Sequence, residues 1–137
     1  MDWYLAALKK YAEFSGRARR KEYWLFFLFN LLAVLGLSFV DVVSGLYSKA
    51  LGAGLFGGAY SLLVLLPSIA VSVRRLHDTG RSAWWLLLAL VPMLGPLALI
   101  VIYCLDGTPG ENKYGADPKA AAPEAPAYPV PPPPPAV

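Results

Sequence analysis

Apolar residues run in three long blocks along this chain, over 23–43, 51–73 and 83–105, and the polar positions are gathered into short stretches between them. The second and third blocks hold no charged residue, and the first holds only Asp41, near its far end. A helix rises about 1.5 Å per residue, so about 20 apolar residues cross a hydrocarbon core of about 30 Å. Each block meets that length. The pattern predicts an all-α membrane protein with three transmembrane helices.

The flanks complete the expectation. Over residues 2–14, Trp3, Tyr4, Ala7, Leu8, Tyr11, Ala12 and Phe14 fall on one helical face, with Asp2, Lys9, Lys10 and Glu13 opposite, which predicts an N-terminal amphipathic interfacial helix. Residues 106–118 are dense in turn-formers and predict a loop. After Lys119 only Ala, Pro, Glu, Tyr and Val occur, with prolines at 131–135, which predicts a disordered Pro/Ala-rich C-terminal tail. The chain thus divides into a helical membrane domain, 1–118, and a tail, 119–137.

Polar and small residues inside the blocks mark helix contacts. Asn30 lies about a third of the way across the first block, where an amide hydrogen-bonds a neighbouring helix. Ala50, Gly54 and Gly58 repeat every four positions, as do Ala53, Gly57 and Ser61, and such stripes allow close approach, here assigned to packing within the chain ahead of dimerisation. Pro67 predicts a kink in the second block. Pro92 and Pro96 around Gly95 predict a bend in the third, where a re-entrant hairpin is the alternative, with halves too short to cross.

Composition adds little to the class but excludes others. Hydrophobic residues make up 57% and charged residues 15% of the 137, too apolar for a soluble domain of this size. The net charge of +3 does not point to nucleic acid, because the basic residues flank the blocks instead of lining a soluble face. Six of the twelve Lys and Arg precede the first block, three lie between the second and third, and Lys49, Lys113 and Lys119 remain. With three spans, the positive-inside rule puts the N-terminus in the cytoplasm and the C-terminus outside. Residues 1–22 lack an apolar core and are not read as a cleavable signal peptide. A single cysteine, Cys104, makes no intramolecular disulfide.

The candidate chemistry lies in residues 74–85, RRLHDTGRSAWW, and in the basic run before the first block. Arg19, Arg20, Glu22, Arg74, Arg75, His77, Asp78 and Arg81 gather on one predicted side. Guanidinium forks bind phosphate bidentately, so the cluster points to an anionic lipid headgroup or to an acidic partner segment, including a second copy of the chain. Glu22 within a basic run is not needed for orientation and predicts a pair with an arginine that locks the first span to the others. The alternative is a small transporter or membrane enzyme using His77 with Asp78 or Glu22 for proton transfer. No nucleophile, metal-ligand set or titratable chain across the spans accompanies His77, so no catalytic residue, metal or cofactor is assigned.

Three blocks carry a resemblance. Residues 14–24 (FSGRARRKEYW), 74–85 (RRLHDTGRSAWW) and 106–118 (DGTPGENKYGADP) together resemble the YhaH/YhaI-type family of small bacterial inner-membrane proteins, over about residues 1–118. The resemblance implies a bacterial inner-membrane location and offers no reaction or cofactor to carry over.

Overall fold

The computed structural model describes residues 12–120. The expected interfacial helix over 2–14 and the tail 119–137 therefore lie almost wholly outside the described residues.

Two long antiparallel helices form the frame, α1 (Arg20–Val43) and α2 (Leu55–Asp78), each of 24 residues. At about 1.5 Å per residue each is about 36 Å long, enough to cross a bilayer. A short antiparallel ribbon joins them, β1 (Tyr47–Ser48) with β2 (Ala53–Gly54), paired Tyr47 to Gly54 and Ser48 to Ala53. The outer faces are apolar: Phe27, Leu32, Leu35, Phe39, Leu62 and Leu63 are exposed, whereas Arg74, Arg75, Asp78 and Asp41 are buried. This inversion of the soluble pattern fits a hydrocarbon solvent.

Polar groups tie α1 to α2 through the apolar region. Asn30 Nδ2 donates to the Phe26 carbonyl at 2.7 Å and its Oδ1 accepts from the Tyr60 hydroxyl at 2.8 Å. At the ribbon end, Asp41 is fully buried and accepts from the Phe56 and Gly57 amides, at 3.0 and 2.8 Å. Asp41 thereby caps the N-terminus of α2 from the neighbouring helix, satisfying donors that a helix start leaves open. Its place near the far end of the first block leaves its burial open in the sequence; the cap role buries it.

Small residues make this cap possible. A Cβ at Gly54 would overlap the Asp41 carboxylate, and one at Gly57 would stand 3.0 Å from Ser38 Oγ. A Cβ at Gly58 meets nothing within 4 Å, so close approach occurs at Gly54 of the first stripe and Gly57 of the second, and not at Gly58. Asp41→Ala is expected to lower stability by about 1–3 kcal/mol, because two amides lose a charged acceptor. Unfolding by denaturing detergent measures it, and parent-like stability would show that the cap contributes nothing.

The third block is not one helix, which corrects the three-span expectation. It forms a 3₁₀ helix, Ala83–Leu90, and then α3, Leu94–Cys104, of 8 and 11 residues. Pro92 forces the preceding residue out of helical geometry, and Val91 is extended at φ −84°, ψ 111°. Met93 follows at φ +63°, ψ −56°, the centre of a γ-turn closed by the Leu94 amide on the Pro92 carbonyl at 2.7 Å, and turns the chain back. The arms then touch so closely that a Cβ at Gly95 would overlap the Leu88 carbonyl. Leu99, Ile102 and Tyr103 pack on Leu76, Tyr23 and Trp24 at the base. Both ends of the hairpin therefore meet the C-terminus of α2, and residues 106–119 lie on the same side of the molecule as Arg17–Arg20, not on the opposite side as a third span requires.

Candidate functional site

The C-terminus of α2 is closed by Gly80. At φ +74° its amide donates to the His77 carbonyl at 3.0 Å and the Arg81 amide reaches Leu76 at 2.9 Å, a Schellman ending that brings the chain sharply out toward the hairpin. The last helical turn carries Arg74, Arg75, His77 and Asp78, and two other segments converge on it: residues 16–22 and residues 103–119.

Asp78 is the hub. Its side chain is 1% exposed, with Oδ1 accepting from Arg17 Nε at 2.9 Å and Oδ2 accepting from Arg75 Nη1. A Cβ at Gly107 would overlap this carboxylate, so only glycine lets the chain cross over it. The remaining guanidinium donors go to backbone carbonyls. Arg17 reaches Thr108 and Gly110, each at 2.5 Å, while Arg75 reaches Tyr103 at 3.2 Å, Ala18 at 3.3 Å, and Leu105. In return the Thr108 amide donates to the Asp78 carbonyl at 2.8 Å.

A second pair lies beside the first. Arg74 Nη1 donates to Glu22 Oε1 at 2.9 Å, joining α1 to α2 as the odd carboxylate in the basic run led one to expect. Arg74 is 1% exposed, and among the described residues its Nε and Nη2 have no hydrogen-bond partner.

His77 has different neighbours from those that proton transfer calls for. Its Nδ1 hydrogen-bonds the Gly16 carbonyl at 3.2 Å, which requires the proton on that nitrogen, and its ring stacks on Tyr114 at 3.8 Å. Asp78 and Glu22 face arginines. Arg81 stands over the Trp85 ring at 5.5 Å and takes no part in the network. Among the described residues no group of three or more His, Cys, Asp or Glu side chains forms a candidate metal site.

Arg19 and Arg20 turn outward. Arg19 donates to the Pro118 carbonyl, and Arg20 and Lys119 share the exposed Asp106 at 3.2 and 3.1 Å. Those two cations, Lys119 foremost, hold the Asp106 carboxyl below the usual carboxylate range. Beside them a groove of about 810 Å³ runs down the outside of α1, with a basic rim of Arg19, Arg20, Lys21 and Lys119 and an apolar wall of Trp24, Leu25 and Leu28.

The structure thus divides the candidate residues. Arg74, Arg75, Glu22 and Asp78 are buried and paired within the chain, Arg19 and Arg20 border the groove, and His77 and Arg81 stand apart. Arg17 is absent from the candidate set that the sequence pattern predicts, and residues 106–118 are predicted only as a loop. The loop contributes mostly backbone oxygens, which leave no side-chain signature; for Arg17 the signal was its place directly after Gly16 in a run treated as orienting charge.

A family model described as "Protein of unknown function (DUF805)" matches residues 11–116. The inner membrane protein YhaH of Escherichia coli K12 is 54% identical over 119 residues, covering 87% of this chain and 98% of its own. Inner membrane protein YhaI of the same organism is 47% identical, covering 87% and 97%. The uncharacterized protein YiiR is 35% identical over 136 residues, covering 76% and 84%. No solved structure matches the chain.

Proposed function

We propose, from the premise that this chain belongs to the DUF805 family, whose relatives YhaH and YhaI are inner membrane proteins, that it is a non-enzymatic membrane module that binds an anionic phospholipid on its cytoplasmic side. The observation that carries the reading is the groove on α1. Its four cations meet a headgroup phosphate while Trp24, Leu25 and Leu28 continue along the acyl chain, and a spanning helix puts these two chemistries at those two depths. The buried arginines serve a different end, holding α1, α2 and the C-terminal segment together.

The cytoplasmic placement follows from charge. Nine of the ten Lys and Arg within residues 12–120 lie at the network end, and Lys49 lies at the ribbon end. With the hairpin returning to its own side, the asymmetry is steeper than three spans allowed, and the positive-inside rule puts this end in the cytoplasm. Proton transfer by His77 with Asp78 or Glu22 has weaker support, since both carboxylates are held by guanidinium groups.

Native mass spectrometry of gently extracted protein tests the reading, comparing the parent with a variant carrying Arg20→Gln, Lys21→Gln and Lys119→Gln. These side chains are outside the buried network, so the variant keeps the fold. Anionic phospholipid retained by the parent and lost at least tenfold in the variant is the expected result. Equal retention, or none on either protein, refutes the groove as a lipid site.

A further inference from the structure

We propose that residues 82–105 form a re-entrant hairpin immersed in the hydrocarbon of a single leaflet, on the side of the charge network, so that its partner is the acyl-chain layer of that leaflet. The first support is length. A 3₁₀ arm of 8 residues at about 2.0 Å rise and an α arm of 11 residues at about 1.5 Å rise both measure about 16 Å. Half of a hydrocarbon core of about 30 Å is about 15 Å. Neither arm crosses, and the two match one leaflet and each other.

The second support is where the ends are fixed. At the start, Ser82 follows directly on the α2 cap; at the finish, the Tyr103 and Leu105 carbonyls accept from Arg75, itself fully buried in the network. Entry and exit therefore share one side. The third support is chemical: residues 83–105 carry no charge, and the turn exposes Leu90 at 77%, Met93 at 87% and Leu94 at 72%. In water such a tip would be an unprotected apolar patch. Immersed in acyl chains it is solvated, and the two helical arms satisfy most of their own backbone groups, as that medium requires.

Because only one leaflet is displaced by the hairpin, the protein occupies more area there than opposite. The inference is independent of the groove, and its test reads sidedness rather than bound lipid. In a Cys104→Ser background, single cysteines are placed at three exposed positions, Lys49, Met93 and Glu111, and labelled with a membrane-impermeant maleimide in sealed vesicles of each orientation. The expected result is labelling of Lys49→Cys and Glu111→Cys from opposite sides, with Met93→Cys labelled from neither until detergent is added. Labelling of Lys49→Cys and Glu111→Cys from the same side would mean that the segment crosses, and labelling of Met93→Cys from water would mean that the tip is not immersed. Either overturns the proposal whatever lipid the groove binds.

Discussion

Asp78→Asn is expected to lower the unfolding free energy by about 3–5 kcal/mol, the cost of breaking a buried ion pair from one side, and to release the C-terminal segment. Asparagine keeps the shape but removes the charge that both Arg17 and Arg75 face. The two guanidinium groups, 1% and 0% exposed at their side chains, would then repel with no carboxylate between them. Most of the carbonyls they reach belong to residues 103–110, Ala18 being an exception, so loosening either arginine frees that stretch and the base of the hairpin with it. Detergent-denaturation curves measure the loss, and limited proteolysis between 105 and 120 reads the release. Parent-like behaviour in both would show that the carbonyl bonds alone hold the segment.

The second large effect concerns Glu22 and Arg74. Glu22→Gln leaves Arg74 buried without a counter-charge, with two of its nitrogens already lacking partners among the described residues. A loss of about 3 kcal/mol is expected, at the lower end for a buried pair because Glu22 keeps 12% side-chain exposure. Replacing both, Glu22→Met with Arg74→Met, is expected to recover most of that loss, since apolar residues of similar volume need no partner. The double-mutant cycle yields the coupling directly. A double variant worse than the sum of the singles would mean that Arg74 serves a group other than Glu22.

These charges also explain which parts of the fold could be read from sequence. The first two helices were legible because their periods of apolar residues are long and uninterrupted, and α1 begins within three residues of the expected start. α2 runs to Asp78, five residues past the expected end at 73, because hydropathy counts Arg74, Arg75 and Asp78 as leaving the membrane. Their neutralisation comes from Glu22, Arg17 and the carbonyls of 103–110, segments far along the chain that no local window joins. Glu22 itself was legible as an anomaly in a basic run. The third block misled for a different reason: a sum of apolar residues does not register that Pro92 denies Val91 a helical conformation. The loop 106–118 was opaque because a backbone carbonyl is the same in every residue.

The wide sequence separation within the network has a consequence for biosynthesis. Chains fold from the N-terminus as they are made, so α1 and α2 enter the membrane before residues 105–110 have left the ribosome. At that moment Arg17 and Arg75 lack the carbonyl oxygens of residues 105–110 that later receive them, and those donors would be left to water. In that state Asp78 would be their one carboxylate partner, and two guanidinium groups against one carboxylate leave net positive charge, which resists translocation under the positive-inside rule. Only when the closing segment is translated do the same side chains withdraw from water. On the orientation proposed above, one set of arginines would do two jobs in succession, first choosing the orientation of the helical pair and then, once buried, making that choice difficult to reverse.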